Sequence, residues 1–223
     1  MAWMGAIPLS LEIEYPYSDG QPMGESELHV KEMMYLIEAF TERFREQADA
    51  YVAGNMFFYF EEGNPRAVVA PDLFVVRGVE KRERKSYLLW REEGRVPCLV
   101  FEITSNSTRN EDQSSKKAIY ERLGVEEYFL FDPLGDYLRP RLQGYRLIDG
   151  RYRRVEPAAD GSLTSRTTGV LIRPEGNKAR VFDHVTGAPF LRDEEVRARA
   201  RELETELDRL REELSRRRED PQA

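Results

Sequence analysis

The chain has 223 residues, of which 34% are charged and 40% hydrophobic, and its formal net charge is -7. That length holds one sizeable α/β core plus an appendage and does not require two domains. The acidic balance argues against a protein that coats nucleic acid through a diffuse basic surface, but not against a local basic groove or a metal that supplies positive charge at the contact.

Cys98 is the only cysteine, which rules out an intramolecular disulfide or a multi-cysteine zinc site and reads as a small buried apolar residue. The N-terminal residues 1–10 lack the basic start of a signal peptide, and no apolar stretch approaches membrane-spanning length. A cytoplasmic protein with no membrane contact is therefore expected.

Residues 16–24 are turn-rich and lead into a predicted helix over about 26–47. Val30, Met33, Met34, Ile37, Phe40, Phe44 and Ala48 fall there at three- and four-residue steps. An aromatic, β-prone stretch over 51–60 follows, then the apolar run 68–76 with Pro71-Asp72 inside it. A connection over 77–96 carries the mixed-charge run Lys81-Arg82-Glu83-Arg84-Lys85, then Tyr87 and Trp90; these side chains suit either nucleic-acid contact or a solvated loop.

The central unit is a predicted strand over 99–103, a polar loop over 104–108, a helix over 110–123 ended by Gly124, and a strand over 128–131. Strand, helix and strand in that order imply a parallel pair, and near-continuous apolar runs suit strands covered on both faces. Beyond Pro140 the pattern changes to hairpins: 142–148 with 152–155 around Asp149-Gly150, and 169–172 with 179–182. These hairpins extend a sheet edge or form a small lobe. From 193 to about 218 the chain reads as a charged helix on which Val196, Ala200, Leu203, Leu207, Leu210 and Leu214 form a heptad seam. A two-stranded coiled coil, as a homodimer or with another partner, is favoured over a helix lying along the domain. The expected division is a domain over 1–190 and a helix with its tail over 191–223.

Asp72 and Glu102 each interrupt an apolar run that reads as a buried strand, where an ionised carboxylate is costly unless compensated. Two carboxylates on neighbouring strands repel each other, so a divalent metal between them is the economical explanation, and it suits metal-assisted phosphodiester cleavage. Lys116 supplies a cation on the next helix, on one face with Asp112 and Tyr120 at four-residue steps. Lys117 lies about 100° away around the helix and reads as a solvated surface residue. Each residue also has a plainer reading. Asp72 suits a turn beside a proline, Glu102 a strand end reaching solvent, and Lys116 a surface ion pair with Asp112. Glu25 and His29 open the first helix on a shared face and are possible supporting groups; Glu25 alternatively complements the helix dipole, and His29 alternatively is a hydrogen-bonded core residue. Gly-rich phosphate loops, a Gly-x-Ser-x-Gly elbow and zinc-ligand clusters are absent from the sequence.

Pro71-Asp72, Glu102-Ile103-Thr104 and Lys116 together resemble the PD-(D/E)XK nuclease superfamily. More closely, the chain resembles its Uma-type branch of restriction-endonuclease-like proteins. The likeness spans roughly 15–190 and includes Asp19-Gly20, His29, Pro71-Asp72-Leu73, Glu102-Ile103-Thr104-Ser105, Asp112-x-x-x-Lys116-x-x-x-Tyr120, Gly124-Val125-Glu126-Glu127-Tyr128, Asp132-Pro133 and Thr168-Gly169-Val170-Leu171. The resemblance implies a restriction-endonuclease-like mixed α/β sheet flanked by helices, with C-terminal hairpins and the terminal helix. It also implies a Mg²⁺-dependent endonuclease acting on DNA, with Mn²⁺ as a substitute. Asp72, Glu102 and the Ile103 carbonyl would hold the metal. Thr104 stands where the superfamily has its lysine, and Lys116 is the implied replacement. The alternatives are a catalytically inactive dimeric module on the same fold, binding nucleic acid or protein, and a hydrolase of other phosphoesters.

Overall fold

The computed structural model describes residues 13–18, 26–105 and 108–219. The N-terminal decapeptide, Asp19-Gly20, Glu25, part of the 104–108 loop and the 220–223 tail lie outside the described residues.

A mixed six-stranded sheet runs through the middle of the fold in the order β1 (Ala50–Ala53), β4 (Leu73–Arg77), β6 (Leu99–Ile103), β7 (Glu127–Phe131), β8 (Leu142–Ile148), β9 (Arg151–Val155). β6 and β7 are parallel and every other neighbouring pair is antiparallel. The inner strands β4, β6 and β7 are buried on both faces, which is why they read as near-continuous apolar runs. Leu73, Val75, Leu99, Phe101, Ile103, Phe129 and Phe131 face helix α1 (Glu27–Arg43) through Met33, Leu36 and Phe40. The same core takes in Val170, Ile172, Ala179 and Val181 from a second sheet, β10 (Leu163–Ser165), β11 (Val170–Glu175) and β12 (Lys178–Asp183). On the other face Phe74, Val76, Val100, Tyr128 and Leu130 meet Tyr120 of helix α2 (Lys116–Leu123). Phe58, Val69 and Tyr87 join that core from the short strands β2 (Phe58–Tyr59), β3 (Val68–Val69) and β5 (Tyr87–Leu88).

Local chemistry sets the element ends. The Ser26 side chain caps α1 by accepting from the His29 N–H, and Gly124 ends α2 at φ 86. Asp149 and Gly150 both take positive φ, the geometry of a tight hairpin turn, between β8 and β9. This first predicted hairpin extends the edge of the main sheet; the second, β11–β12, belongs to the separate sheet.

Four sequence expectations change. The 51–60 stretch is two strands, β1 and β2, broken at Gly54. The 68–76 run is also two strands, β3 and β4: Pro71 has no N–H for a ladder, and its carbonyl accepts instead from Asn55 N–H at 2.8 Å. Asp72 therefore stands just before β4 rather than inside a strand. The 110–123 helix begins as a π-turn over Glu111–Ser115 and becomes α-helical only at Lys116. In the 77–96 connection, Tyr87 is fully buried and Arg84 makes a two-pronged pair with Glu92 beneath the Tyr51 ring, so neither is open to a ligand.

The terminal helix α3 (Asp193–Glu219) is rooted by a buried ion pair. Arg192, just ahead of it, places Nη1 2.8 Å and Nη2 2.9 Å from the two carboxylate oxygens of Glu32 on α1. The same Glu32 accepts from Ala179 N–H, and Arg192 also donates to the Ala179 carbonyl. Removing one partner strands a buried charge, which costs about 3–5 kcal/mol. Arg192→Ala is expected to lose that much in denaturant unfolding, and the double change Glu32→Leu with Arg192→Met far less. Equal losses in the two variants would show that the pair contributes through packing alone.

Candidate active site

The site forms where β4 begins and β6 ends. Register pairs Leu73 with Phe101, so one step outward sets Asp72 opposite Glu102, and alternation turns both side chains to the α2 side of the sheet. The two residues interlock. Asp72 Oδ2 accepts from Ile103 N–H at 2.7 Å, and Glu102 Oε2 accepts from Asp72 N–H at 3.3 Å. Neither carboxylate can turn away without leaving a backbone amide unpaired.

Further groups fix each acid. Asp72 Oδ1 lies 3.1 Å from His29 Nε2, which the first turn of α1 delivers in buried form. Glu102 Oε1 accepts from Tyr120 Oη at 2.9 Å, and Lys116 Nζ sits 3.1 Å from Glu102 Oε2. Lys116 Nζ is also 3.0 Å from Asp112 Oδ1, and Lys116 and Thr108 are the groups that favour the charged form of this buried carboxyl. The Asp112 carbonyl accepts from Tyr128 Oη at 2.8 Å, which ties the π-turn to β7. A π-turn beside a functional site re-aims side chains that a regular helix would space differently.

Burial sets the electrostatics. Glu102 and Asp112 are sealed in, whereas the Asp72 and Lys116 side chains keep 17% and 15% exposure and form the opening to solvent. Desolvation pushes the Glu102 carboxyl up from an ordinary 4.5 to about 8; Lys116 opposes the shift, and the Asp72 and Asp112 charges add to it. Asp112 is raised for the same leading reason, with Lys116 again opposing. Burial also acts against the Lys116 ammonium, but Glu102, Asp112 and Asp72 outweigh it and hold the amine above its ordinary value. Lys116 is thus a fixed cation at neutral pH.

One ammonium faces three carboxyl groups here, so ionising all three leaves the cluster short of positive charge. Asp72 and Glu102 offer oxygen atoms only, the donor chemistry a hard divalent cation selects, and Mg²⁺ is usually held by one or two carboxylates with water or phosphate completing its shell. Among the described residues no group of three or more His, Cys, Asp and Glu side chains is arranged to chelate a metal. The arrangement fits the sparse ligation of Mg²⁺ and not a protein cage. Thr104, on the face of Glu102 by alternation, is buried; its N–H donates to the Phe131 carbonyl and its hydroxyl has no hydrogen-bond partner among the described residues.

Asp72, Glu102, Lys116, Asp112, Tyr120 and His29 are therefore brought together, with Ile103 contributing its backbone. His184 lies far along the chain in the exposed turn after β12. Lys117 is not a free surface residue: its Nζ lies 3.5 Å from the centre of the Tyr145 ring. Sequence reasoning missed Gly54, where an added Cβ would come within 2.1 Å of the Asp72 carbonyl oxygen. It also missed Tyr128. The break that Gly54 makes in the 51–60 aromatic stretch was the available signal for the first; nothing local marked the second.

A family model described as "Putative restriction endonuclease" (Uma2) matches residues 8–173. Among solved structures, "a putative nuclease belonging to DUF820" from Anabaena variabilis ATCC 29413 is 15% identical, with 68% of this chain and 81% of that chain covered and a TM-score of 0.47. No curated protein matches the chain.

The raised Glu102 value has a thermodynamic consequence. Between about 4.5 and 8 the native state binds a proton that the unfolded chain releases, so this group removes stability as pH rises through that window. In metal-free buffer, the melting temperature of the native protein relative to Glu102→Gln is expected to fall between pH 5 and pH 8. A constant difference across that range would mean that Glu102 is fully ionised throughout.

Proposed function

This chain belongs to the Uma2 family, and on that premise we propose that it is a metal-dependent endonuclease hydrolysing DNA phosphodiester bonds. Asp72 and Glu102 would hold Mg²⁺, or Mn²⁺ in its place, and the Ile103 main-chain carbonyl would be a further ligand. The observation that carries the reading is the interlocked acid pair at the mouth of the sheet, with a fixed ammonium beside it. The bound cation supplies concentrated positive charge, which polarises a phosphate and makes nearby water more acidic.

The chain's own residues do the rest. Ile103 N–H and His29 hold the Asp72 carboxylate in place, so its oxygens are oriented before a ligand arrives. Tyr120 fixes the Glu102 carboxylate from the opposite side. Lys116 remains protonated and therefore donates rather than abstracts: it orients the attacking water and stabilises the negative charge that grows on the phosphorus oxygens. Asp112 holds the ammonium toward Glu102. Asp72, the more exposed of the two acids, faces the incoming phosphate.

The Lys116–Glu102 bridge favours a second reading. A lysine that pairs directly with a buried carboxylate satisfies it without a metal. On that reading the same fold is a catalytically inactive dimeric module that binds nucleic acid or another protein.

Cleavage of supercoiled and linear DNA by the purified chain, with Mg²⁺ or Mn²⁺ and with chelator, separates the two. Metal-dependent nicking is expected, abolished by Asp72→Asn and by Glu102→Gln and lowered roughly 10²–10³-fold by Lys116→Met, with circular dichroism unchanged. Equal cleavage by the native chain and both acid variants would refute the assignment. No cleavage by the native chain under any metal would favour the inactive module.

A further inference from the structure

We infer that α3 pairs with α3 of a second copy of this chain as a parallel, in-register, two-stranded coiled coil. After Ala198, every side chain of the helix through Arg216 is exposed. Leu203, Leu207, Leu210 and Leu214 keep between 47% and 59% exposure, so the domain leaves the seam beyond the root of the helix uncovered. The helix has 27 residues, about 40 Å at 1.5 Å per residue. A solvated helix of this kind gains stability chiefly by burying an apolar stripe, and here only a partner offers that burial.

The seam alternates with Val196, Leu203 and Leu210 at one core position and Ala200, Leu207 and Leu214 at the other. Arg197, Glu204 and Arg211 flank it on one side, and Arg199, Glu206 and Glu213 on the other. Charge on both flanks keeps the stripe narrow, which suits two strands, since larger bundles bury those flanks.

The flanking charges select the occupant and its direction. In a parallel, in-register pair, each flank residue meets the opposite flank five positions on. Arg199 then meets Glu204 of the partner subunit, and Glu206 meets Arg211 of the partner subunit. Both contacts are opposite in charge, and each occurs again by symmetry. The antiparallel pair that seats Leu207 against Leu203 of the partner subunit sets Arg197 against Arg211 of the partner subunit, and Glu204 and Glu206 against their own counterparts, four like-charge contacts by symmetry against two opposite ones between Arg199 and Glu213 of the partner subunit. Like charges there disfavour that arrangement. The competing pairs within one helix, Arg199 with Glu202 and Arg211 with Asp208, are exposed and weak.

The root of the helix is fixed to its domain. Arg192 binds Glu32, Arg180 binds Glu195 and Lys178 binds Glu194. A parallel pair therefore sets both domains at the same end of the coil.

Sedimentation equilibrium of the full chain is expected to give twice the chain mass at about 10 μM. Leu203→Glu with Leu210→Glu should raise the dissociation constant at least ~100-fold and leave the metal-free domain folded. Leu207→Cys should cross-link to itself under mild oxidation, since facing core positions lie within disulfide reach, while the native chain, whose Cys98 is buried, should not. A monomer at 100 μM, or a dimer that survives the double change, overturns the pairing. Cross-linking only when Leu203→Cys and Leu207→Cys chains are mixed overturns the parallel direction.

Discussion

The carboxylate of Glu102 lies in a fully buried strand, and most of the site's construction compensates for it. Desolvation is the leading cause of its raised pKa, and three close donors offset it: Asp72 N–H, the Tyr120 hydroxyl and the Lys116 ammonium. These partners arrive from a strand start and from the helix that follows β6. The topology that makes β6 and β7 parallel requires a crossover, and that crossover carries α2 across the sheet face where Glu102 points. Chain path and site chemistry are thus coupled at one residue.

The opposite layer contributes through its end. α1 packs on the other face, yet its first turn reaches the edge where Asp72 stands, and His29 touches the carboxylate. Gly54 lets β1 approach the Asp72 backbone, and the Asn55 amide binds the Pro71 carbonyl. Asp72 is consequently positioned by three separate parts of the chain, the His29 side chain, the Gly54–Asn55 backbone and Ile103 N–H, which gives its carboxylate a fixed orientation. α1 also carries Glu32, the anchor of Arg192, so one helix supports both the acid pair and the root of α3.

Much of this was legible in the residues. Near-continuous apolar runs in 99–103 and 128–131 indicated strands covered on both sides, and the parallel β6–β7 pair has that character. Four-residue spacing of Asp112, Lys116 and Tyr120 indicated one face, and the latter two both reach Glu102. What was hidden depended on long-range partners. The Pro71-Asp72 break arises because Asn55, distant in sequence, takes the Pro71 carbonyl, and no periodicity encodes that exchange. The π-turn before Lys116 has no side-chain signature in Glu111–Ser115. Burial of Arg84 and Tyr87 inside a highly charged run was equally invisible, since their partners Glu92 and Tyr51 become neighbours only on folding.

Placing Asp72, Glu102 and Lys116 around one opening makes divalent-cation binding the central claim. Anomalous diffraction from crystals soaked in Mn²⁺ tests it most directly. The account predicts a peak between the Asp72 and Glu102 carboxylates, within bonding distance of both and of the Ile103 carbonyl oxygen, and no peak in Glu102→Gln crystals. An undisturbed Lys116–Glu102 contact with no anomalous density at saturating Mn²⁺ would contradict it.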